Sequence, residues 1–193
     1  MNPSRRVALV AAIYLGTFIA SLDISIVNLA LPTLQYALDT DLAGLQWVVD
    51  AYALCLSAFM LSSGPLSDRY GRKPMLVRAS LGMAITMLLM GLASDIWQFI
   101  GLRLLAGIAG GYSSGATILV AVQAPKSRSA WALGLLSSGV MAGNLLGPLV
   151  GGFLPPLIGI RATFWGASGL IFIAFVFTTF MLRETARPSV PAV

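Results

Sequence analysis

Apolar residues fill six long stretches of the chain, and polar residues are concentrated in the short segments between them. Each stretch is long enough for the roughly 20 residues that a membrane-spanning helix needs. None shows the strict alternation of a barrel strand, and a backbone in hydrocarbon must pair its polar groups internally, so each stretch is predicted to be a helix. The fold class predicted is therefore all-α, a polytopic membrane protein with six transmembrane helices. The predicted spans lie at 7–31, 46–66, 74–94, 97–121, 130–154 and 162–182.

The composition supports lipid as the medium around these helices. Of the 193 residues, 58% are hydrophobic and 10% are charged, whereas soluble domains carry about 25% charged residues. The chain has no histidine, and its one cysteine, Cys55, lies inside an apolar stretch. These counts argue against zinc sites, Cys/His catalysis and a disulfide scaffold. No metal is therefore expected. No enzymatic activity is expected either, because nothing in the sequence resembles a nucleophile with its base.

The net charge of +5 does not indicate a nucleic-acid partner, because the basic residues cluster at the ends of the apolar stretches and form no continuous face. If the N-terminus is inside, every Lys and Arg except Arg103 and Arg161 lies on the cytoplasmic side. Cytoplasmic loops carry an excess of basic residues in membrane proteins. The pattern predicts a multi-pass protein of the inner (plasma) membrane with both termini in the cytoplasm.

The most distinctive polar segment is 64–76, with the sequence GPLSDRYGRKPML. It resembles the loop between the second and third helices of major facilitator superfamily transporters, G-x-L-x-D-R-x-G-R-K-x-x-L, at every fixed position. The resemblance implies a gating loop that acts as a latch. No acid occurs at the inner end of the fourth span, so the latch is expected to be incomplete; the alternative is a basic turn that only sets topology. The predicted gating residues are Gly64, Asp68, Arg69, Gly71, Arg72 and Lys73.

The first span carries an acid, Asp23, which is a functional candidate because an ionisable group at membrane depth is costly. At 100° per residue it points away from a polar stripe on the same helix. One face is expected to line a cavity and the other to pack on a neighbouring helix, and the stripe fits substrate contact and helix packing equally well. Segment 22–32 (LDISIVNLALP) resembles the first-helix motif of 14-span drug:proton antiporters, as does 47–52 (WVVDAY). The stripe's cavity candidates are Thr17, Ser21, Ser25 and Asn28.

The fourth span carries a cation, Arg103, at a depth similar to that of Asp23, roughly 10 Å from the outer end of each helix at 1.5 Å rise per residue. The two side chains are therefore able to pair. A guanidinium favours the charged carboxylate and burial favours the neutral acid, and such opposed effects suit a group that gains and loses a proton. Asp23 and Arg103 are the predicted proton-coupling residues; a static ion pair is the alternative. Segment 103–111 resembles the family's R-x-x-Q-G motif, with Ala106 in place of glutamine.

The fifth span has glycine at every fourth position, which makes a flat stripe for close helix packing, and a proline that removes a backbone hydrogen bond. Segment 143–152 (GNLLGPLVGG) resembles the antiporter motif G-x-x-x-G-P-x-x-G-G. The resemblance implies export rather than uptake and a helix shaped to limit leak; plain helix packing is the alternative. The residues concerned are Gly143, Gly147, Pro148, Gly151 and Gly152.

The resemblance covers nearly the whole chain. Residues up to about 70 resemble the 14-span antiporters, and those from Lys73 onward resemble 12-span multidrug exporters of the MdtG type. Members of this superfamily have two six-helix halves, and 1–193 matches the first as a single unit. The implied function is proton-coupled efflux of drugs or other lipophilic or cationic small molecules, as in antibiotic resistance. The proton gradient supplies the energy and no bound cofactor is expected.

Such a half needs a partner to enclose a cavity. The expected partners are a small-molecule substrate, the lipid bilayer, and either a second copy in a homodimer or a separate second half. Two alternatives remain at this point. One is a truncated, non-transporting membrane fragment, and the other is a major facilitator solute importer, which the motif of the fifth span disfavours.

Overall fold

The computed structural model describes residues 3–123 and 129–181, with side chains at 13–60, 71, 73–113, 115–121 and 129–180. This part of the chain is helical and contains no strand, which confirms the all-α membrane fold. The long apolar stretches account for the helices, since each pairs its own backbone groups. The helices are α1 (Pro3–Ala37), α2 (Leu42–Tyr70), α3 (Arg72–Met90), α4 (Ile96–Ala109), α5 (Tyr112–Gln123), α6 (Ser129–Ile158) and α7 (Ile160–Met181).

The fourth predicted span, 97–121, is two helices instead of one, which corrects the expectation of a continuous helix. α4 ends at Ala109 and α5 begins at Tyr112, and Gly111 between them has a φ of 92°. L-residues with a side chain rarely adopt positive φ, so this break depends on glycine. With 14 and 12 residues, α4 and α5 are each shorter than the roughly 20 residues that cross a bilayer. In tandem they occupy the fourth span.

Two of the turns between helices are shorter than the predicted spans suggested. α2 continues to Tyr70 and α3 begins two residues later, with Gly71 between them at a φ of 96°. α6 and α7 are separated by Gly159 alone, at a φ of 86°. A single glycine in this conformation reverses the chain direction without strain. Both ends of the bundle are therefore closed by very tight connections.

The helices pack in pairs: α1 chiefly against α6, α2 against α4, and α3 against α7. In the last pair, the buried Ser168 donates a hydrogen bond to the carbonyl oxygen of Ala84 at 2.8 Å. Near the loop between α3 and α4, the rings of Phe99 and Phe164 meet edge to face with centroids 5.6 Å apart. These contacts join α7 to both α3 and α4 and fix the position of the helix that carries Arg103.

The outward surface of the described bundle is apolar. Large side chains such as Leu145, Phe153 and Phe180 are 66–81% exposed. Within the described ranges, α1, α2, α3, α6 and α7 are long and apolar enough to cross a membrane. A soluble protein would not present so many large apolar side chains to water. The chain is a multi-pass membrane protein.

Candidate functional site

The carboxylate of Asp23 is buried in the middle of α1. The side chain is 5% exposed, and its charge interacts with that of Arg103 on α4. Tyr52 on α2 lies within the field of both groups. Three helices therefore bring an acid, a cation and a phenol together inside the bundle. Asp23 and Arg103 are therefore near enough for their charges to interact, and their role in proton coupling stays a prediction.

Arg103 is held mainly by α2. Its side chain is 1% exposed, and its Nε donates a hydrogen bond to the carbonyl oxygen of Val48 at 3.2 Å. The guanidinium carbon lies 4.5 Å from the centre of the Tyr52 ring, within the range of a cation–π interaction. Among the residues that the structure describes, Nη1 of Arg103 finds no hydrogen-bond partner. The cation thus has two contacts on α2 and one free donor inside the protein.

A glycine on α4 allows the close approach to α2 that this arrangement needs. Gly107 is one turn from Arg103, and a methyl group placed on it would lie 2.7 Å from the carbonyl oxygen of Tyr52. A methyl group on Gly110 would lie 2.8 Å from a methyl carbon of Leu56. At Gly107 the neighbour is backbone that cannot move aside, so only glycine permits α4 to come this close to α2. At Gly110 the neighbour is the flexible end of a side chain. The sequence of α4 therefore sets the guanidinium against the turn of α2 that contains Val48 and Tyr52.

The polar stripe of α1 lies largely against α6 and is mostly closed. Thr17 is buried and donates to the carbonyl oxygen of Ile13 on its own helix at 2.7 Å. Ser21 is buried as well. Ser25 donates to Oδ1 of Asn144 on α6 at 3.3 Å. Asn28 is the exposed member of the four. Thr17 and Ser21 are thus buried in the bundle, Ser25 bonds to α6, and Asn28 is exposed.

The glycine stripe of α6 forms the other side of this interface. Gly143, Gly147 and Gly151 are all buried against α1. A methyl group on Gly143 would lie 2.8 Å from Cβ of Ser21, and one on Gly151 would lie 2.8 Å from the carbonyl oxygen of Ile26. Gly147 faces Ser25 even more closely. The motif positions therefore hold α6 in close contact with the helix that carries Asp23.

The predicted antiporter residues also include Pro148 and Gly152 on α6. α6 continues as a helix through Pro148. Gly152 is exposed, and a methyl group on it would lie 2.9 Å from the Leu29 side chain. Gly152 thus lies beside α1 on an exposed part of α6.

The predicted gating residues are only partly visible. Gly71 takes a positive φ between α2 and α3, and Lys73 is half-buried at the start of α3. The side chains at 61–70 and 72, and the whole of 124–128, lie outside the described residues. The latch formed by Gly64, Asp68, Arg69 and Arg72 stays a prediction.

Tyr52 is the site residue that sequence reasoning missed. Its signal was present in segment 47–52, which resembles an antiporter motif. Val48 and Tyr52 are four residues apart and therefore share one face of α2. The sequence did not show that this face turns towards Arg103, because the rotation of α2 depends on packing against α4.

A second buried polar contact was also not predicted. The hydroxyl groups of Tyr112 on α5 and Thr178 on α7 share a hydrogen bond of 2.9 Å. Gly16 on α1 lies directly against the Tyr112 ring. This contact joins three helices close to the break between α4 and α5.

Residues 13–192 match the family model described as Major Facilitator Superfamily. The chain is 50% identical over 125 residues to the multidrug resistance protein MdtG of Klebsiella pneumoniae (strain 342), an alignment that covers 65% of this chain and 30% of that protein. It is 51% identical over 125 residues to MdtG of Salmonella arizonae, covering 65% of this chain and 31% of the relative. The aligned part of this chain spans about 30% of the length of these relatives.

Two solved structures share the fold. A bacterial homologue of the human lysosomal transporter Spinster, inward-facing and unoccupied, superposes with a TM-score of 0.82 at 19% identity, covering 97% of this chain and 45% of the other. The human organic anion transporter MFSD10 (TETRAN) gives a TM-score of 0.73 at 19% identity, covering 95% of this chain and 49% of the other. Each matching region is a little under half of the larger protein.

Proposed function

Because this chain belongs to the Major Facilitator Superfamily, we propose that it is one half of a proton-coupled exporter of drugs or other lipophilic or cationic molecules. The observation that carries the proposal is the buried carboxylate of Asp23 beside Arg103 and Tyr52. A charge at membrane depth is costly and marks ion pathways and proton relays. The similarity to multidrug resistance proteins supports the substrate class.

Asp23 is the proton-carrying group in this proposal. When ionised, it balances the charge of Arg103 inside the protein. When a proton binds to the carboxylate, the pair loses its mutual attraction and α1 is less strongly held to α4. Arg103 modulates the exchange, since it favours release of the proton. One carboxylate exchanging one proton is enough to couple a substrate to the proton gradient, and no bound cofactor takes part.

The direction of transport and the remaining roles are also part of the proposal. The packing of α6 on α1 supports a rigid unit that limits leak while Asp23 titrates. Gly143, Gly147, Pro148, Gly151 and Gly152 provide that unit, and export is the direction typical of such a motif. Asn28 is the member of the α1 stripe placed to meet a substrate.

The family architecture supports a proposal for the partner of this chain and its place in the membrane. In two-half transporters the substrate binds between the halves near the midplane, and the halves rock against one another. The chain would therefore work with a second six-helix half or with a second copy of itself, in an inner (plasma) membrane with both termini in the cytoplasm. The loop at 64–73 would act as the latch between states.

Ethidium efflux from energised cells that express the chain tests this function. We expect efflux from the native chain, its loss in Asp23→Asn, and its loss when a protonophore collapses the gradient. Asp95→Asn is the matched control, because Asp95 is exposed at the start of α4. Inserted chains that are inert with or without Asp23 would contradict transport by this chain. Efflux that survives Asp23→Asn would contradict the coupling role.

A further inference from the structure

The cluster contains a buried cation whose counter-charge is expected to disappear in each transport cycle. Arg103 is 1% exposed and its Nη1 finds no partner within the described part of the chain. A buried charge that loses the opposite charge near it is left uncompensated, which is strongly destabilising. Protonation of Asp23 has the same electrostatic consequence. The protein therefore needs a second means of holding the guanidinium in place.

α2 supplies that second means. The carbonyl oxygen of Val48 accepts the hydrogen bond from Nε at 3.2 Å, and the Tyr52 ring lies under the guanidinium at 4.5 Å. Both groups are on consecutive turns of one helix, and neither depends on the protonation of Asp23. A cation–π interaction is stronger where both partners are removed from water, and Tyr52 is 7% exposed.

We propose that Tyr52 is a positioning residue that holds Arg103 on α2 while Asp23 is protonated. The cation then stays with α2 and α4, and the proton weakens only the attraction between α1 and the cation. The titratable groups that act on one another here are Asp23 from α1, Tyr52 from α2 and Arg103 from α4. Cys55 lies one turn further along α2, beside Gly107. The description of Asp23 as a proton carrier rests on the proposed function, whereas the role of the ring rests on the geometry.

The guanidinium of Arg103 contacts the aromatic ring of Tyr52, not its hydroxyl group, in this proposal. Tyr52→Phe keeps the ring and removes only the hydroxyl group, so it should preserve the interaction. Tyr52→Leu keeps an apolar side chain but removes the π face. Phe99→Leu is the matched control, because Phe99 is also buried and aromatic on this part of the bundle but packs on Phe164.

A double-mutant cycle on the purified chain measures the coupling without any transport assay. Asp23→Asn imitates the protonated acid. The equilibrium constant of unfolding is measured by titration of mixed micelles with dodecyl sulfate. Tyr52→Leu should raise the unfolding constant by some factor in the native Asp23 background. We expect that factor to be at least about tenfold larger when Asp23→Asn is present. Phe99→Leu should raise the constant by the same factor in both backgrounds, since residues without a shared partner are additive.

Two further variants make the test decisive. Tyr52→Phe should stay within about twofold of the native chain in both backgrounds and so recover folding where Tyr52→Leu loses it. In an Arg103→Gln background, Tyr52→Leu should have the same effect with or without Asp23→Asn. Equal effects of Tyr52→Leu in both Asp23 backgrounds, or a loss with Tyr52→Phe as large as with Tyr52→Leu, would overturn the proposal. A chain that shows this coupling but does not transport would contradict the proposed function alone.

Discussion

Arg103 donates a hydrogen bond from Nε to the carbonyl oxygen of Val48, 3.2 Å away, and so attaches α4 to the backbone of α2. A backbone carbonyl is present whatever the side chain, which makes this contact independent of the residue at position 48. The contact does require an arginine side chain, because Nε is a donor that lies between the aliphatic stem and the two terminal nitrogens. The guanidinium carbon of the same side chain lies 4.5 Å from the centre of the Tyr52 ring.

Arg103→Lys should therefore be a severe change although it keeps the charge. An ammonium group has no donor at the position of Nε and no planar face for the ring. We expect the free energy of unfolding to fall by about 1.5–3 kcal/mol, the range for hydrogen bonds to charged groups. Dodecyl sulfate titration measures it, and Arg161→Lys at an exposed position is the control. Equal stability of the two variants would show that charge alone is needed at position 103.

Gly143→Ala should separate α1 from α6. The added methyl group would meet Ser21 and the backbone nitrogen of Leu22, at 2.8 and 3.1 Å, and such overpacking costs about 1–3 kcal/mol. Gly134→Ala on the same helix is the control, because no atom lies within 4 Å of its added methyl group. Gly134→Ala should be neutral or more stable by up to about 1 kcal/mol, since alanine favours helices. A stable Gly143→Ala variant would mean that α6 does not pack on α1 in this way.

Gly111→Ala should disturb the break between α4 and α5. The φ of 92° at this position is unfavourable for any residue with a Cβ atom, and alanine at positive φ destabilises by more than about 0.4–1 kcal/mol. Gly101→Ala on α4 is the control, because its added methyl group meets nothing within 4 Å. Thermal unfolding in detergent compares the two variants. If Gly111→Ala were as stable as Gly101→Ala, α4 and α5 would form one continuous helix.

The hydrogen bond between Tyr112 and Thr178 predicts a non-additive pair of substitutions. Tyr112→Phe leaves a buried hydroxyl group without its partner, which costs about 1–3 kcal/mol. Thr178→Val does the same from the other side. Replacing both groups by apolar ones of the same shape should cost less than the sum of the single changes. Stability measured over the four chains of the cycle checks this, and strict additivity would show that the two hydroxyl groups are not bonded.

The apolar pattern was sufficient to predict the helices and the packing role of the glycines on α6. It missed the break at Gly110 and Gly111, because two adjacent glycines inside an apolar stretch also fit close helix packing. The conformation of Gly111 is a backbone property that becomes visible only in three dimensions.

Only part of the candidate site was predicted, because the sequence indicates the depth of a residue but not which way its helix faces. Equal depth in the membrane was enough to suggest that Asp23 and Arg103 meet. It was not enough to place Tyr52 under the guanidinium, because depth does not give the rotation of α2 about its axis. The rotation of α2 is fixed by its packing on Gly107 of α4. The polar stripe of α1 shows the same limit, since its periodicity indicated a face but the partner, α6, is determined by tertiary packing.

Proton release on drug binding is the measurement that tests the role of Asp23 most directly. The purified native chain is mixed with ethidium in unbuffered solution, and the pH change and the amount of bound ethidium are recorded together. We predict release of protons by the native chain and by Asp95→Asn, and none by Asp23→Asn at equal ethidium binding. The same release from Asp23→Asn, or no release from a native chain that binds ethidium, would contradict Asp23 as the proton carrier.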